Sequence, residues 1–542
     1  MEGPPDDGAT QAEAAAPEGN GTRPARRPGP ARLAAVQVGK AARTLSRTLG
    51  RGGGTTLPGL LAERIDPELT RSLAAALPNG SVLVTGTNGK TTTTRILVNA
   101  LERAGLSVIT NPEGSNLTRG IATSLLAHAD RAGALDVPPS AIGVFEVDEG
   151  AFPHALEALD PRLVVITNLF RDQLDRYFEV DFVAELWRRA LRGLSPSATL
   201  VLNADDPGVA HLGELVASKV LYYGIDDKTW ARAGLEHVAD SRRCPRCGSD
   251  LLYELSFYAH LGHYACGQCG WRRPNPRFSA WKVALDGLSG SRMSVTTPAG
   301  DRSFEVPLAG LYNACNTLSA AAAAAGLGVD LQLVQESVSE VSGAFGRLER
   351  FTAGGRQACL ILVKNPSGFN EGLRLVLGED GHPEEGRAEE GHPEEGQSEE
   401  ARPGDPQPPP GRRHLLLAVN DNGPDGRDVS WIWDVDFELC RGRTDLLVVS
   451  GQRARDVALR LHYARVGGDD DPTDAARRVP VQVEEDVVRA FWTAIGQVPP
   501  GETLYVLITY TAMWTLRRAL VRKGYLAPFF EQVAAKKGAR VS

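Results

Sequence analysis

Residues 82–93 read Val-Leu-Val-Thr-Gly-Thr-Asn-Gly-Lys-Thr-Thr-Thr. An apolar run enters a turn of small residues, Gly86-Thr87-Asn88-Gly89, which delivers Lys90, Thr91 and Thr92 to a helix-period segment. That order suits the phosphates of a nucleoside triphosphate. Small side chains let the backbone N–H groups of Thr87, Asn88 and Gly89 approach phosphate oxygens. Lys90 adds a point charge, and the Thr91 hydroxyl can reach a magnesium ion. The strict Gly-x-x-x-x-Gly-Lys-Ser/Thr pattern is not met, because Val84 stands where the first glycine belongs.

A second constellation is sulfur-rich. Cys244-Pro-Arg-Cys247 and Cys266-Gly-Gln-Cys269 are C-x₂-C pairs with 18 residues between them. Each pair fits a tight knuckle, and four thiolates at that spacing converge tetrahedrally on zinc. Four thiolates leave no open coordination position, so the expected role is structural. Cys315, Cys359 and Cys440 lie in apolar or helical contexts and read as small core residues. A third group is acidic. Glu146-Val-Asp148-Glu149 follows an apolar run, and the C-terminal ends of strands are where open α/β sheets bind ligands. A carboxylate there could hold the Mg²⁺ that bridges nucleotide phosphates. The polar run Thr167-Asn168 to Arg176-Tyr177 and the Asp-rich run Asn420 to Asp434 follow strands in the same way.

These residues need a frame. Candidate strands at 81–85, 107–110, 141–146, 163–167 and 199–202 alternate with helix-period segments such as 92–104 and 182–194. This alternation predicts a mostly parallel sheet covered by helices. A second α/β unit is expected from strands at 358–363, 414–419, 445–449 and 503–508, after a linker near 352–356. Residues 1–50 read as a disordered tail, 51–350 as a central domain with the Cys₄ segment 242–272 inserted, and 351–542 as the second domain. Residues 378–413 repeat Gly-His-Pro-Glu-Glu-Gly, are acidic and Pro-rich, and read as a disordered insertion. The net charge of −8 argues against a non-specific nucleic-acid binder. No apolar run reaches the roughly 18 residues of a membrane span, and the N-terminus has no secretory h-region. A cytoplasmic protein is expected.

The Gly86–Thr91 turn, Glu146, the Thr167–Asp175 run, Leu202-Asn203-Ala-Asp205-Asp206-Pro207, Gly310-Leu-Tyr-Asn313-Ala-Cys-Asn316 and Gly346-Arg-Leu-Glu349 resemble successive motifs of the Mur ligase family. The resemblance implies an α/β fold: a Mur-ligase-like P-loop ATPase domain with an inserted zinc ribbon, then a smaller Rossmann-like C-terminal domain. It implies that Thr87–Thr92, Asn203, Asp205 and Asn313 bind ATP and that Thr91 and Glu146 hold Mg²⁺. Two departures stand out. Gln173 replaces the histidine that helps bind a second metal in the family, and Arg188 falls near the position of its carbamylated lysine.

One branch of the family is similar throughout, including Phe170–Gln173, the Cys₄ ribbon, Asn365-Pro-Ser-Gly-Phe-Asn370 and the Asp-rich run. That branch is the synthetase subunit of lipid II isoglutaminyl synthase. The resemblance implies a heterodimer with a GatD-like glutamine amidotransferase, acting on lipid II at the inner face of the membrane in peptidoglycan synthesis. It also implies an aspartate that completes the partner's catalytic triad. Asp428 is the leading candidate, with Asp425 and Asp434 as alternatives. Two rival readings are a Mur or folylpolyglutamate-type ligase that adds an amino acid, and a nucleotide-dependent scaffold whose zinc ribbon binds nucleic acid.

Overall fold

The computed structural model describes residues 29–48, 56–111, 116–172, 180–232, 235, 239–341, 347–378, 412–467 and 479–527. Most of the acidic insertion, Gln173 to Tyr177 and Gly346 lie outside them.

The central domain is built on strands β1 (Ser81–Thr85), β2 (Ser107–Thr110), β3 (Ala141–Glu146), β4 (Leu163–Ile166), β5 (Thr199–Asn203) and β6 (Lys219–Ile225). A hairpin of β7 (Leu251–Tyr258) and β8 (Leu261–Cys266) interrupts them, and β9 (Phe278–Leu285), β10 (Ser291–Thr297) and β11 (Gly300–Val306) follow. Nine strands form one sheet in the order β11-β10-β9-β6-β5-β4-β1-β3-β2, with β7 and β8 apart. β1 pairs in parallel with both β3 and β4 and is buried along its whole length. Such a strand is covered on both faces, which is why it reads as an unbroken apolar run. One face packs Ile96, Leu97 and Leu101 with Leu318; the other packs Ile121, Leu125, Phe152 and Trp187. The strands β9, β10 and β11 are antiparallel to one another and extend the sheet. β10 alternates buried and less buried residues, the half-covered pattern of such an edge.

The second sheet takes β12 (Arg347–Ala353), β13 (Arg356–Leu362), β14 (Arg413–Ala418), β15 (Thr444–Ser450), β16 (Val481–Glu484) and β17 (Thr503–Ile508). Its order is β12-β13-β17-β14-β15-β16, parallel except for β12. The expected linker at 352–356 is instead a hairpin turn. Gly354 and Gly355 have φ of 58° and 76°, a left-handed pair that reverses the chain between β12 and β13. The domain boundary therefore precedes Arg347.

The tail reading of residues 1–50 also needs correction, because Pro30–Thr48 is a helix. It buries Ala35 and Val36. Gly39 packs so closely that a Cβ there would lie 2.4 Å from Leu126 Cδ2. Small residues weaken the hydrophobic signal of such a segment while permitting this close helix–helix approach.

Candidate active site

The phosphate loop joins β1 to the helix Lys90–Arg103. Gly86 and Gly89 have φ of 127° and 87°, a backbone that side chains resist. A Cβ on Gly86 would lie 2.1 Å from Thr167 Oγ1, and one on Gly89 would lie 2.0 Å from Asn316 Oδ1. The strand-end segment 167–170 braces the loop. The Asn88 N–H donates to Asn168 Oδ1 at 2.8 Å, and Thr167 Oγ1 donates to the Asn88 carbonyl at 2.7 Å. The Phe170 N–H donates to Thr87 Oγ1 at 3.0 Å, and that hydroxyl donates to the Phe170 carbonyl at 3.2 Å.

Lys90 is buried. Its Nζ donates to the Gly86 carbonyl at 2.5 Å and pairs with Glu149 Oε2 at 3.1 Å. Burial pushes the Glu149 carboxyl above its ordinary value, against the pull of the Lys90 and Lys364 charges. Glu149 Oε1 and Asp172 Oδ1 are buried with no hydrogen-bond partner among the described residues. Glu146 is buried at the end of β3, where its backbone N–H and C=O are both bonded to the Asn111 side chain. Thr91 is half-buried beside Lys90. Orphan oxygens on Glu149 and Asp172, together with the Glu146 carboxylate and the Thr91 hydroxyl, are hard donors of the kind Mg²⁺ takes. Their chemistry suits that ion, although among the described residues only the four cysteines draw together closely enough to form a metal cluster.

Sequence reasoning missed Lys364. Its Nζ donates to Asp172 Oδ2 at 2.6 Å and to the Thr87 carbonyl at 3.0 Å. Next to it, Asn365 Nδ2 donates to Asn88 Oδ1 at 3.1 Å. The C-terminal domain thus places a second lysine at the phosphate loop. Lys364 follows β13 at its C-terminal end, so the strand-end rule that singled out Glu146 also applied to it.

Other expected ligands are engaged within the protein. Asn203 Nδ2 donates to the Thr167 carbonyl at 3.0 Å, and Asn203 Oδ1 accepts from the Asp205 N–H at 3.0 Å. Asp205 accepts from Arg273 Nε at 2.7 Å and from the Ile225 N–H at 2.9 Å. Asn313 is tied to the Ala309 carbonyl and to Asn316, the residue against Gly89. These side chains shape and stiffen the loop's surroundings. Arg188 pairs with Glu185 at 3.5 Å on the helix Val180–Leu191.

The three candidate aspartates have different environments. Asp425 is buried and accepts from both the N–H and the hydroxyl of Thr511; burial raises its carboxyl above the ordinary value. Asp434 pairs with Arg171 of the central domain at 3.0 Å. Asp428 is exposed. Its Oδ1 caps the turn Ser430–Asp434 by accepting from the Ser430 N–H at 2.8 Å, and this bond holds its carboxyl below the ordinary value. Trp431 packs on Phe369, and Trp433, about half exposed, packs on Tyr463 with ring centroids 5.5 Å apart, so both hold the loop.

The four cysteines meet. Their Sγ atoms all lie within 4.8 Å of one another, with Cys244–Cys269 at 3.7 Å and Cys247–Cys266 at 3.5 Å. Tetrahedral zinc with Zn–S of about 2.3 Å needs S···S of about 3.8 Å. The cluster fits that ion. His263 takes no part, since its Nε2 faces the Ile225 carbonyl at 2.8 Å. Cys315, Cys359 and Cys440 are buried, as expected of core residues. The tip of the β7–β8 hairpin is buried in the central core through Phe257, Tyr258, Ala259 and Leu261. A ribbon docked this way is part of the domain.

Comparison with known proteins agrees with this geometry. The Mur ligase middle domain family matches residues 84–251, and the MurT ligase C-terminal family matches residues 407–513. The chain is 31% identical over 460 residues to "Lipid II isoglutaminyl synthase (glutamine-hydrolyzing) subunit MurT" of Staphylococcus aureus strain COL, covering 84% of this chain and 91% of that one. It is 31% identical over 491 residues to the protein of the same name from Streptococcus pneumoniae, covering 90% and 96%. Among solved structures, the pseudomurein peptide ligase type C from Methanothermus fervidus superposes with a TM-score of 0.57 at 23% identity, covering 82% of this chain and 78% of that one. MurF from Acinetobacter baumannii gives 0.55 at 17%, covering 85% and 80%, and both share the fold. The chain belongs to the MurT family, a branch of the ATP-dependent Mur ligases.

Proposed function

We propose that this chain is the synthetase subunit of a lipid II isoglutaminyl synthase. The observation that carries the reading is the convergence of Lys90 and Lys364, one from each domain, on the Thr87 carbonyl of the phosphate loop. In the proposed reaction an oxygen of the D-glutamate α-carboxylate in lipid II attacks the γ-phosphorus of ATP, and ADP leaves. Ammonia then attacks the acyl carbon of the resulting acyl phosphate, inorganic phosphate departs, and D-isoglutamine remains after loss of a proton. The N–H groups of Gly89 and of the first turn of the helix Lys90–Arg103 would face the phosphates, because those of Thr87 and Asn88 already donate to Asn168. Lys90 and Lys364 offset the negative charge on the phosphoryl group in transfer, where preorganised cations act most strongly. Thr91 and Glu146, with Glu149 and Asp172 beside them, would hold a Mg²⁺ that neutralises phosphate charge. Cys244, Cys247, Cys266 and Cys269 would hold a structural zinc.

Ammonia is assigned to a GatD-like glutaminase in a heterodimer. Asp428 is assigned to that partner's active site because, of the three candidate aspartates, it is the exposed one. The docked hairpin and the net charge of −8 weigh against a nucleic-acid scaffold. The test supplies ATP, lipid II and either ammonia, glutamine with the partner, or free amino acids, and reads the product by mass spectrometry. Amidation by ammonia supports the proposal. Product formed only with an added amino acid would make this a Mur-type amino-acid ligase instead.

A further inference from the structure

Two neighbouring residues of the central domain reach the C-terminal domain with opposite charges. Arg171 Nη1 meets Asp434 Oδ2 at 3.0 Å, and Asp172 Oδ2 meets Lys364 Nζ at 2.6 Å. The two pairs form a clasp of alternating sign beside the phosphate loop. Each end of the Arg171 pair is anchored further. On the loop side, Phe170 exchanges two hydrogen bonds with Thr87. The Arg171 guanidinium and N–H both bond the Asp240 carboxylate, which fixes the guanidinium in place. On the far side, Asp434 ends the turn Ser430–Asp434 that Asp428 caps at its start. A short continuous path therefore runs from Thr87 through Phe170, Arg171 and Asp434 to Asp428.

We propose that Arg171 is a positioning residue that ties the Asp428 turn to the phosphate loop, so that nucleotide occupancy sets the order of the surface carrying Asp428. This deepens the reading of Asp428 as the partner-facing carboxylate and rests on it. The physical basis is preorganisation. An isolated, partly exposed ion pair contributes little, because two long side chains must be ordered to make it. Here Asp240 already orders the arginine, and the turn already orders the aspartate. Phosphate contacts to Lys90 and to the first N–H groups of the helix Lys90–Arg103 stiffen the loop, and Phe170 with it through Thr87. Arg171 then holds the turn with less of its own freedom to lose. A glutaminase that releases ammonia only when ATP is bound would gain from such a link.

The test uses the full chain and Mg·ADP or a non-hydrolysable Mg·ATP analogue, read by hydrogen exchange. In the wild type, nucleotide should slow exchange in residues 85–93 and also in 426–436, the latter by at least about fivefold. In Asp434→Asn and Arg171→Gln the protection of 426–436 should disappear while that of 85–93 persists. Asp434→Glu should restore part of it. A purely structural role for the pair would lower protection of 426–436 equally with and without nucleotide, and that result overturns the inference. So does protection of 426–436 that survives both substitutions, since the link would then run through Lys364 and Asn365. If nucleotide protects 85–93 but never 426–436, the inference fails and the ATP-site reading stands. If nucleotide leaves 85–93 unprotected in the wild type, both fall.

Discussion

Lys364→Met tests whether the C-terminal domain takes part in phosphate chemistry. Methionine keeps most of the side chain's length and removes its charge. Lys364 Nζ lies 2.6 Å from Asp172 Oδ2. At an effective dielectric of about 20 that contact carries a gross attraction of about 6 kcal/mol. Desolvation of both groups offsets most of it, and the Lys364 side chain is 33% exposed, so solvent screens the remainder. The net stability loss should be about 1 kcal/mol, or about 2–4 °C in Tm for a domain of this size. The effect on chemistry should be larger. A preorganised cation at a transferring phosphoryl group acts mainly in the transition state, so kcat should fall about 100-fold, or about 2.7 kcal/mol, with ADP affinity changed by less than about fivefold. The assay is lipid II- and ammonia-dependent ATP turnover, with ADP binding by calorimetry. Turnover within about threefold of wild type would refute the placement of Lys364 at the reacting phosphate. A large loss of ADP affinity with kcat unchanged would make it a ground-state binding residue.

Lys90→Ala should abolish lipid II-dependent ATP turnover while far-UV circular dichroism stays unchanged; activity within a few-fold of wild type would remove the loop from the chemistry. The protein should carry about one equivalent of zinc, and Cys247→Ser should lower both the metal content and the Tm; elemental analysis that finds no metal in protein purified without chelator would end the zinc assignment. Asp428→Asn should cut glutamine-driven amidation, by up to about 10⁴-fold if the partner depends on it as a triad hydrolase does, while sparing ammonia-driven amidation. Equal losses with both nitrogen sources would place Asp428 in the synthetase site or the fold.

What the sequence made legible follows from how its signals arise. β1, β3, β4 and β17 are buried on both faces, so each is an apolar run bounded by turn residues and is readable without context. The phosphate loop and the Cys₄ set are local patterns in which spacing alone carries the chemistry. β10 and β16 are only partly covered, and their runs do not stand out from the surrounding polar chain. The helix Pro30–Thr48 was hidden by its small residues, whose value lies in the close contact of Gly39 with Leu126. The least legible features are the pairings between distant residues. Lys364 and Asp172 are 192 positions apart, and Arg171 and Asp434 are 263 apart. Asp205 and Asn203 are expected as ligands only through the resemblance to the Mur ligases. The sequence could not reveal that Arg273 and the backbone of Ile225 already occupy Asp205, or that the Thr167 carbonyl and the Asp205 N–H occupy Asn203.

The ribbon shows why an inserted module need not be a separable one. Its hairpin tip carries His260, fully buried, into the central domain. The Asp240 N–H donates to His260 Nδ1 at 3.3 Å, so a neutral imidazole keeps its proton on Nε2. That Nε2 faces Asp206 Oδ2 at 3.3 Å, and the same oxygen accepts the Leu169 N–H at 2.8 Å. Leu169 precedes Phe170, which holds Thr87, and Asp240 holds Arg171. The knuckles lie at the outer end of this hairpin, with Cys266 on β8 itself. A metal at the four thiolates would fix the strand register that sets where His260 sits. His260 in turn holds the Asp206 carboxylate and the Asp240 backbone, and both aspartates support the segment bracing the phosphate loop. A zinc enclosed by four thiolates would have no open position for catalysis, yet the hairpin it would close supports the segment that braces the phosphate loop.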